Sequence, residues 1–139
     1  PDEARIPVFR DHALNEKDYG IYTGKSKAQV RQEVGDEVFQ LIRRSWDYEI
    51  EDGESLSQVH ARVVPFHLGS VVPCLERGET VLVGSHNNTL RAYVKELEGI
   101  PEDEVGGIEL GTAEVRIYEF DPSTLAISGV TSHRFGDVH

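Results

Sequence analysis

Apolar positions in this chain recur at three different intervals, and each interval predicts a different kind of element. Leu56, Val59, Val63 and Phe66 follow Ser55 at steps of three and four, the signature of one helix face. Pro65 removes a helical hydrogen bond and predicts a bend before Gly78 closes that region. Val38, Phe39, Leu41, Ile42 and Trp46 give a helix capped by Asp36 a broad apolar face, with Arg43 and Arg44 in its last turns, where cations offset the negative helix end. Ahead of it, Ser26 and Gln29 have the spacing of a capping box. They open a short helix through Val34 that Gly35 stops in a left-handed conformation. A further helix carries Leu90, Val94 and Leu97 and ends at Gly99, after which Pro101 starts a short one.

Unbroken apolar character marks Thr80 to Gly84 as a strand buried on both faces, as in parallel sheets covered by helices. Alternation with period two marks Glu114 to Phe120 as a strand, with a turn at Asp121-Pro122-Ser123 and a partner strand from Thr124 to Val130. Arg5 to Phe9 and Ala13 to Glu16 read as extended, leading to a turn at Asp18-Tyr19-Gly20, and Tyr48 to Gly53 reads as an acidic loop. The order predicts an α/β fold, a mostly parallel sheet flanked by helices, in one domain spanning residues 1–139.

Composition narrows the partners. Of 139 residues, 14 are Lys or Arg and 25 are Asp or Glu, a formal charge of -11. Such a chain has no general electrostatic grip on nucleic acid or on an anionic membrane, so an anionic ligand needs a local basic pocket. No apolar run approaches the roughly 18 residues that cross a bilayer, and the start lacks a signal-peptide pattern, so a cytoplasmic location is expected. The single Cys74 excludes an intrachain disulfide and a multi-cysteine zinc site, and reads as a small buried thiol. The six histidines show no metal-ligand spacing, and neither a phosphate-binding Gly-Lys loop nor a Gly-x-Ser-x-Gly elbow occurs, so no metal is expected.

Candidate chemistry gathers where the Thr80 to Gly84 strand is expected to end. His86 stands there before the free N–H groups of a helix start near Asn88 or Thr89, a seat for phosphate or carboxylate. The plainer alternative is that His86 fixes the turn and that Asn87 and Asn88 supply left-handed backbone angles. Glu16 beside Tyr19 offers an acid or base if burial raises its pKa, and is otherwise surface. Lys25, Lys27, Arg43 and Arg44 concentrate positive charge in an acidic chain, although Arg43 or Arg44 also answers the helix dipole.

Taken together, Leu14-Asn15-Glu16-Lys17-Asp18-Tyr19-Gly20, Gly24 to Lys27, Arg43-Arg44-Ser45, Gly53-Glu54-Ser55-Leu56 and Ser85 to Ala92 resemble cofactor-dependent phosphoglycerate mutases of the histidine phosphatase superfamily, in order and in spacing. The resemblance implies that Glu16 is the proton donor and acceptor, and that Tyr19 and Lys27 hold the substrate. It further implies that Arg43 and Arg44 grip the substrate's carboxylate or phosphate, that His86 is the second histidine stabilising the phosphoryl group in transfer, and that Asn88 contacts substrate. The implied partner is a small phosphorylated substrate, with 2,3-bisphosphoglycerate as phosphoryl primer.

Two departures accompany the resemblance. The family reads His-Gly-Asn-Ser or Thr where this chain has His86-Asn87-Asn88-Thr89, placing a side chain where glycine admits the phosphate. The Arg-His-Gly motif that carries the phosphorylated histidine on the family's first strand is absent before Glu16, and His12, only four residues away, is no counterpart. The resemblance thus implies the carboxyl-terminal part of a mutase fold, incomplete at its amino-terminal side and lacking the first strand. By itself such a chain is expected to be inactive as a mutase, and its open sheet edge favours a homo-oligomer. A phosphomonoester phosphatase of the same superfamily and a non-catalytic anion-binding or interaction module are the alternative readings.

Overall fold

Two capping boxes start the helices that build most of the scaffold. In the computed structural model, which describes residues 5–135, Ser26 and Gln29 exchange side-chain and backbone hydrogen bonds at the head of α1 (Lys27–Arg44). Ser55 and Gln58 do the same for α2 (Leu56–Phe66). Each box satisfies N–H groups that the first helical turn leaves without partners. Gly35 (φ 83°, ψ 167°) kinks α1 in a backbone region that glycine alone enters freely. The expected break is there: two helical halves meet at the non-helical Gly35, with Arg31 paired to Asp36 across the joint (2.9 Å).

Pro65 lies inside α2, and the chain responds by widening into a π-helical turn at His67–Val71 before α3 (Val72–Glu76). Gly78 (φ 75°) closes α3 with two reversed bonds, from Gly78 N–H to the Leu75 carbonyl and from Glu79 N–H to the Cys74 carbonyl. Cys74 departs from expectation: its thiol is half-buried, donates to the Ser70 carbonyl and accepts from Arg77. Helix α4 (Asn87–Glu98) has His86 as its N-cap and ends at Gly99 in the left-handed region (φ 62°). A 3-10 helix follows at Glu102–Gly107.

The main core forms where Leu56, Val59 and Val63 of α2 meet Ala92, Tyr93 and Val94 of α4, closed by Val105 and Ile108. Burying each such aliphatic side chain is worth about 1.5–3 kcal/mol. A second cluster, Val30, Phe39, Ile42 and Ile50, binds the two halves of α1 to the 48–50 loop. Trp46, expected on α1, lies just beyond its end against the main core, with Lys95 over its ring at 4.7 Å.

The fold is α/β with a small sheet, but the sheet differs from expectation. Strand β1 (Glu114–Phe120) pairs antiparallel with β2 (Ile127–Arg134), and this is the one sheet among the described residues. β2 starts later than expected because the Asp121 carboxylate takes the N–H groups of Ser123 and Thr124, holding Thr124 in the turn. Residues 80–84, expected as a buried parallel strand, run without regular structure, and Leu82 is 86% exposed. A strand is held by ladder bonds to a neighbour, and among the described residues no strand lies alongside this segment. Residues 5–10 are likewise irregular and exposed, and 12–14 form a 3-10 turn rather than extended chain. No described helix is long and apolar enough to cross a membrane.

Candidate anion-binding site

Residues 13–18 bring Glu16 into the middle of the molecule, and neighbours on both sides hold them there. The Ser85 and Thr89 hydroxyls donate to the carbonyls of Leu14 and Asn15, both at 2.6 Å, fastening the head of α4 to this segment. From α2, Arg62 grips both Glu54 oxygens and donates to the carbonyls of Ala13, Asn15 and Glu16. Glu54 in turn accepts the Asp18 N–H (3.0 Å). The loop after Glu16 then packs backbone to backbone on residues 51–53. A Cβ at Gly20 would lie 2.0 Å from the Glu51 carbonyl oxygen, so glycine is required there.

Between this segment, α1 and the head of α4 lies a cavity of about 690 Å³. Glu16, Tyr19, Lys27, Arg43, Arg44 and Asn88 all line it, and Lys17, Lys25 and Arg91 add further positive charge. Lys25 is committed to Glu33 (2.8 Å) and Arg44 to Glu109 (3.0 Å). Arg43 lies over the Phe39 ring, and neither Arg43 nor Lys27 has a carboxylate partner among the described residues. These two side chains and the positive end of α4 are the groups available to a ligand anion.

Two cations are buried deeper. Lys17, 2% exposed, donates to the Ile42 carbonyl (2.8 Å) and sits 5.3 Å from the Tyr19 ring centre. Burial pushes its ammonium down to about 8, Arg91 adds to that push, and Glu16 and Glu54 oppose it. Arg91, 4% exposed, donates to the Ile108 carbonyl (3.1 Å), to Asn88 Oδ1 (2.7 Å) and to Asn87 Oδ1 (3.1 Å). Asn88 passes the order on, its Nδ2 donating to the Tyr19 hydroxyl (2.7 Å). Burial and the Glu16 charge raise the Tyr19 pKa against that hydrogen bond, which keeps the phenol neutral at physiological pH.

His86 is not brought into the cavity wall. It is the exposed N-cap of α4, and the next side chain, Asn87, lines the cavity instead, bonded to the Leu110 carbonyl (3.0 Å) and to Arg91. Nor do Asn87 and Asn88 supply left-handed angles, since both lie within the first turn of α4 and use their amides as ties. Lys17, Arg62, Arg91 and Glu109 escaped the sequence reading. Arg91 had a faint signal, standing three and four residues after Asn88 and Asn87 on one helix face. The partners of the others are distant in sequence. No group of three or more potential metal ligands occurs among the described residues.

Cations, three acidic residues (Glu16, Asp18 and Glu109) and the head of α4 converge on this single cavity. The histidine phosphatase superfamily (branch 1) profile matches residues 2–132, and the chain belongs to this superfamily. It is 39% identical over 127 residues to the 2,3-bisphosphoglycerate-dependent phosphoglycerate mutase of Nitrobacter winogradskyi, covering 91% of this chain and 61% of that protein. The Bartonella quintana protein of the same name is 40% identical over 119 residues, covering 86% of this chain and 58% of its own length. This chain thus spans about three fifths of the length of these relatives. The solved structure of Mycobacterial hydrolase 1 shares the fold, with a TM-score of 0.66 at 19% identity over 88% of this chain and 61% of that one.

Proposed function

We propose that the whole protein is a 2,3-bisphosphoglycerate-dependent phosphoglycerate mutase, which moves a phosphoryl group between the 2- and 3-positions of glycerate through a phosphohistidine. The reading rests on one observation: Glu16, Tyr19, Lys27, Arg43, Arg44 and Asn88 come from separate segments and line the same cavity. The relatives' names supply the substrate and the bisphosphate primer. In this reading Arg43 and Lys27 hold the substrate's anionic groups, and Tyr19 and Asn88 position it. Glu16 gives and takes the proton of the reacting hydroxyl. His86, next to the cavity at the head of α4, faces the phosphoryl group in transfer. In the same reading, residues 80–84, irregular among the described residues, are where a parallel strand of a fuller sheet would dock.

Among the described residues no histidine lines the cavity, so this chain binds and polarises a phosphate without accepting it covalently. The test incubates the purified chain with 3-phosphoglycerate and 2,3-bisphosphoglycerate and follows products by phosphorus NMR. A chimera carrying the amino-terminal two fifths of the Nitrobacter relative runs beside it. The chain alone is expected to bind without turnover. The chimera is expected to form 2-phosphoglycerate and to lose that activity with Glu16→Gln. Turnover by the chain alone that vanishes with His86→Ala would overturn the missing-nucleophile argument, and release of inorganic phosphate alone would assign a phosphatase.

A further inference from the structure

We propose that Glu109 is a specificity-determining residue of the cavity, its carboxylate occupying Arg44 until a ligand's second anionic group displaces it. The inference rests on the functional reading above and adds a group that the family resemblance does not name. Arg44 Nη1 meets Glu109 Oε1 at 3.0 Å and the Gly106 carbonyl at 3.0 Å. A carboxylate at that distance presents to the guanidinium the same oxygens that a bound carboxylate or phosphate would present.

What makes Glu109 a gate rather than an ordinary surface partner is how it is anchored. The residues on either side of it are tied into the cavity wall, Ile108 through its carbonyl to buried Arg91 (3.1 Å) and Leu110 through its carbonyl to Asn87 (3.0 Å). The Glu109 backbone is therefore fixed between two anchors, while its side chain is 70% exposed and free to swing. Arg44 is the less mobile partner, its side chain 27% exposed. The carboxylate leaves and returns about a fixed tether, and the guanidinium stays.

The remaining cations set the selectivity. Arg43 and Lys27, without carboxylate partners among the described residues, receive a ligand's first anionic group at no cost in broken pairs. A ligand with one such group has no reason to disturb Glu109. A ligand with two, spaced to reach Arg44 as well, gains the second contact only by breaking an existing one, so Glu109 fixes the ligand's register and tempers its affinity.

The test measures binding of 3-phosphoglycerate and of glycerol 3-phosphate, which carries a hydroxymethyl group in place of the carboxylate, by titration calorimetry on the full chain. Glu109→Gln is expected to tighten 3-phosphoglycerate about two- to five-fold, the range set by a partly exposed ion pair. Glycerol 3-phosphate should shift no more than it does with Glu37→Gln, which removes the same charge at a distant position, on α1. In an Arg44→Gln background, Glu109→Gln should give no further gain. Equal tightening of both ligands, or none for 3-phosphoglycerate while both still bind, would overturn the gate and leave the functional reading standing. Binding of neither ligand to any form would bring down that reading and the gate with it.

Discussion

Arg62 and Glu54 form a two-pronged ion pair, at 2.9 and 3.0 Å, and each also holds the backbone of the segment that carries Glu16. The pair thus couples α2 to residues that have almost no regular structure of their own. Arg62→Met leaves a half-buried carboxylate and three carbonyls without their donor, and is expected to cost roughly 2–3 kcal/mol. Arg62→Lys should recover only part, because a single ammonium cannot serve both Glu54 oxygens and the carbonyls. Denaturant midpoints check both.

The same pair carries a pH signature. Burial alone would raise the Glu54 pKa, but the hydrogen bonds from Arg62 and from the Asp18 N–H outweigh it and hold the carboxyl below its ordinary value. Its contribution to stability is therefore present above the ordinary carboxylate pKa and lost as pH falls through the folded value. The stability gap between the native sequence and Glu54→Gln should shrink as pH is lowered from 6 to 3 in denaturation curves.

Lys17 has the opposite sign. Its folded pKa of about 8 lies below the value of 10.5 for a free lysine, so between those limits the unfolded chain binds more protons. Below pH 8 the buried charge costs stability, and that cost disappears as pH rises towards 10.5. Relative to Lys17→Met, the native sequence should gain roughly 1–3 kcal/mol between pH 7 and pH 10, read from urea midpoints at each pH.

Arg91, Asn88 and Tyr19 act as a unit. Arg91→Met strips the Ile108 carbonyl and both asparagine amides of a buried donor, for an expected loss of roughly 3 kcal/mol. Tyr19→Phe should cost only about 1 kcal/mol. If Arg91 serves to orient Asn88, the Arg91→Met and Asn88→Ala losses will fall short of additivity in a double-mutant cycle.

Gly20 and Gly24 make a matched pair of probes. Both have positive φ, but a Cβ at Gly20 collides with the Glu51 and Asp52 backbone, whereas one at Gly24 meets nothing within 4 Å. Gly24→Ala should cost about 1 kcal/mol from backbone strain alone. Gly20→Ala, which forces the 51–53 loop away, should cost well over twice that in thermal melts.

What the sequence revealed depended on how local the cause was. The capping box at Ser26, the stops at Gly78 and Gly99 and the β1 alternation all arise from residues a few positions apart, and all appear in the fold. The residues lining the cavity were assembled by resemblance, since nothing in the spacing of Glu16 and Arg43 brings them together. Lys17 and Arg62 escaped notice because their carbonyl partners lie 25 and 46 to 49 residues away. At residues 80–84 the apolar run predicts a buried strand, and the described chain forms none there, because pairing and burial depend on a neighbouring strand that the run itself does not supply.

The kink at Gly35 divides the cavity's positive charges mechanically, with Lys27 on one half of α1 and Arg43 and Arg44 on the other. Each half is stiff, so the reach between lysine and arginine behaves like the opening of a pair of calipers whose pivot is a single residue. Ligand length is then gauged by one pair of backbone angles. A substitution at residue 35 would retune that gauge without touching a single side chain in the cavity.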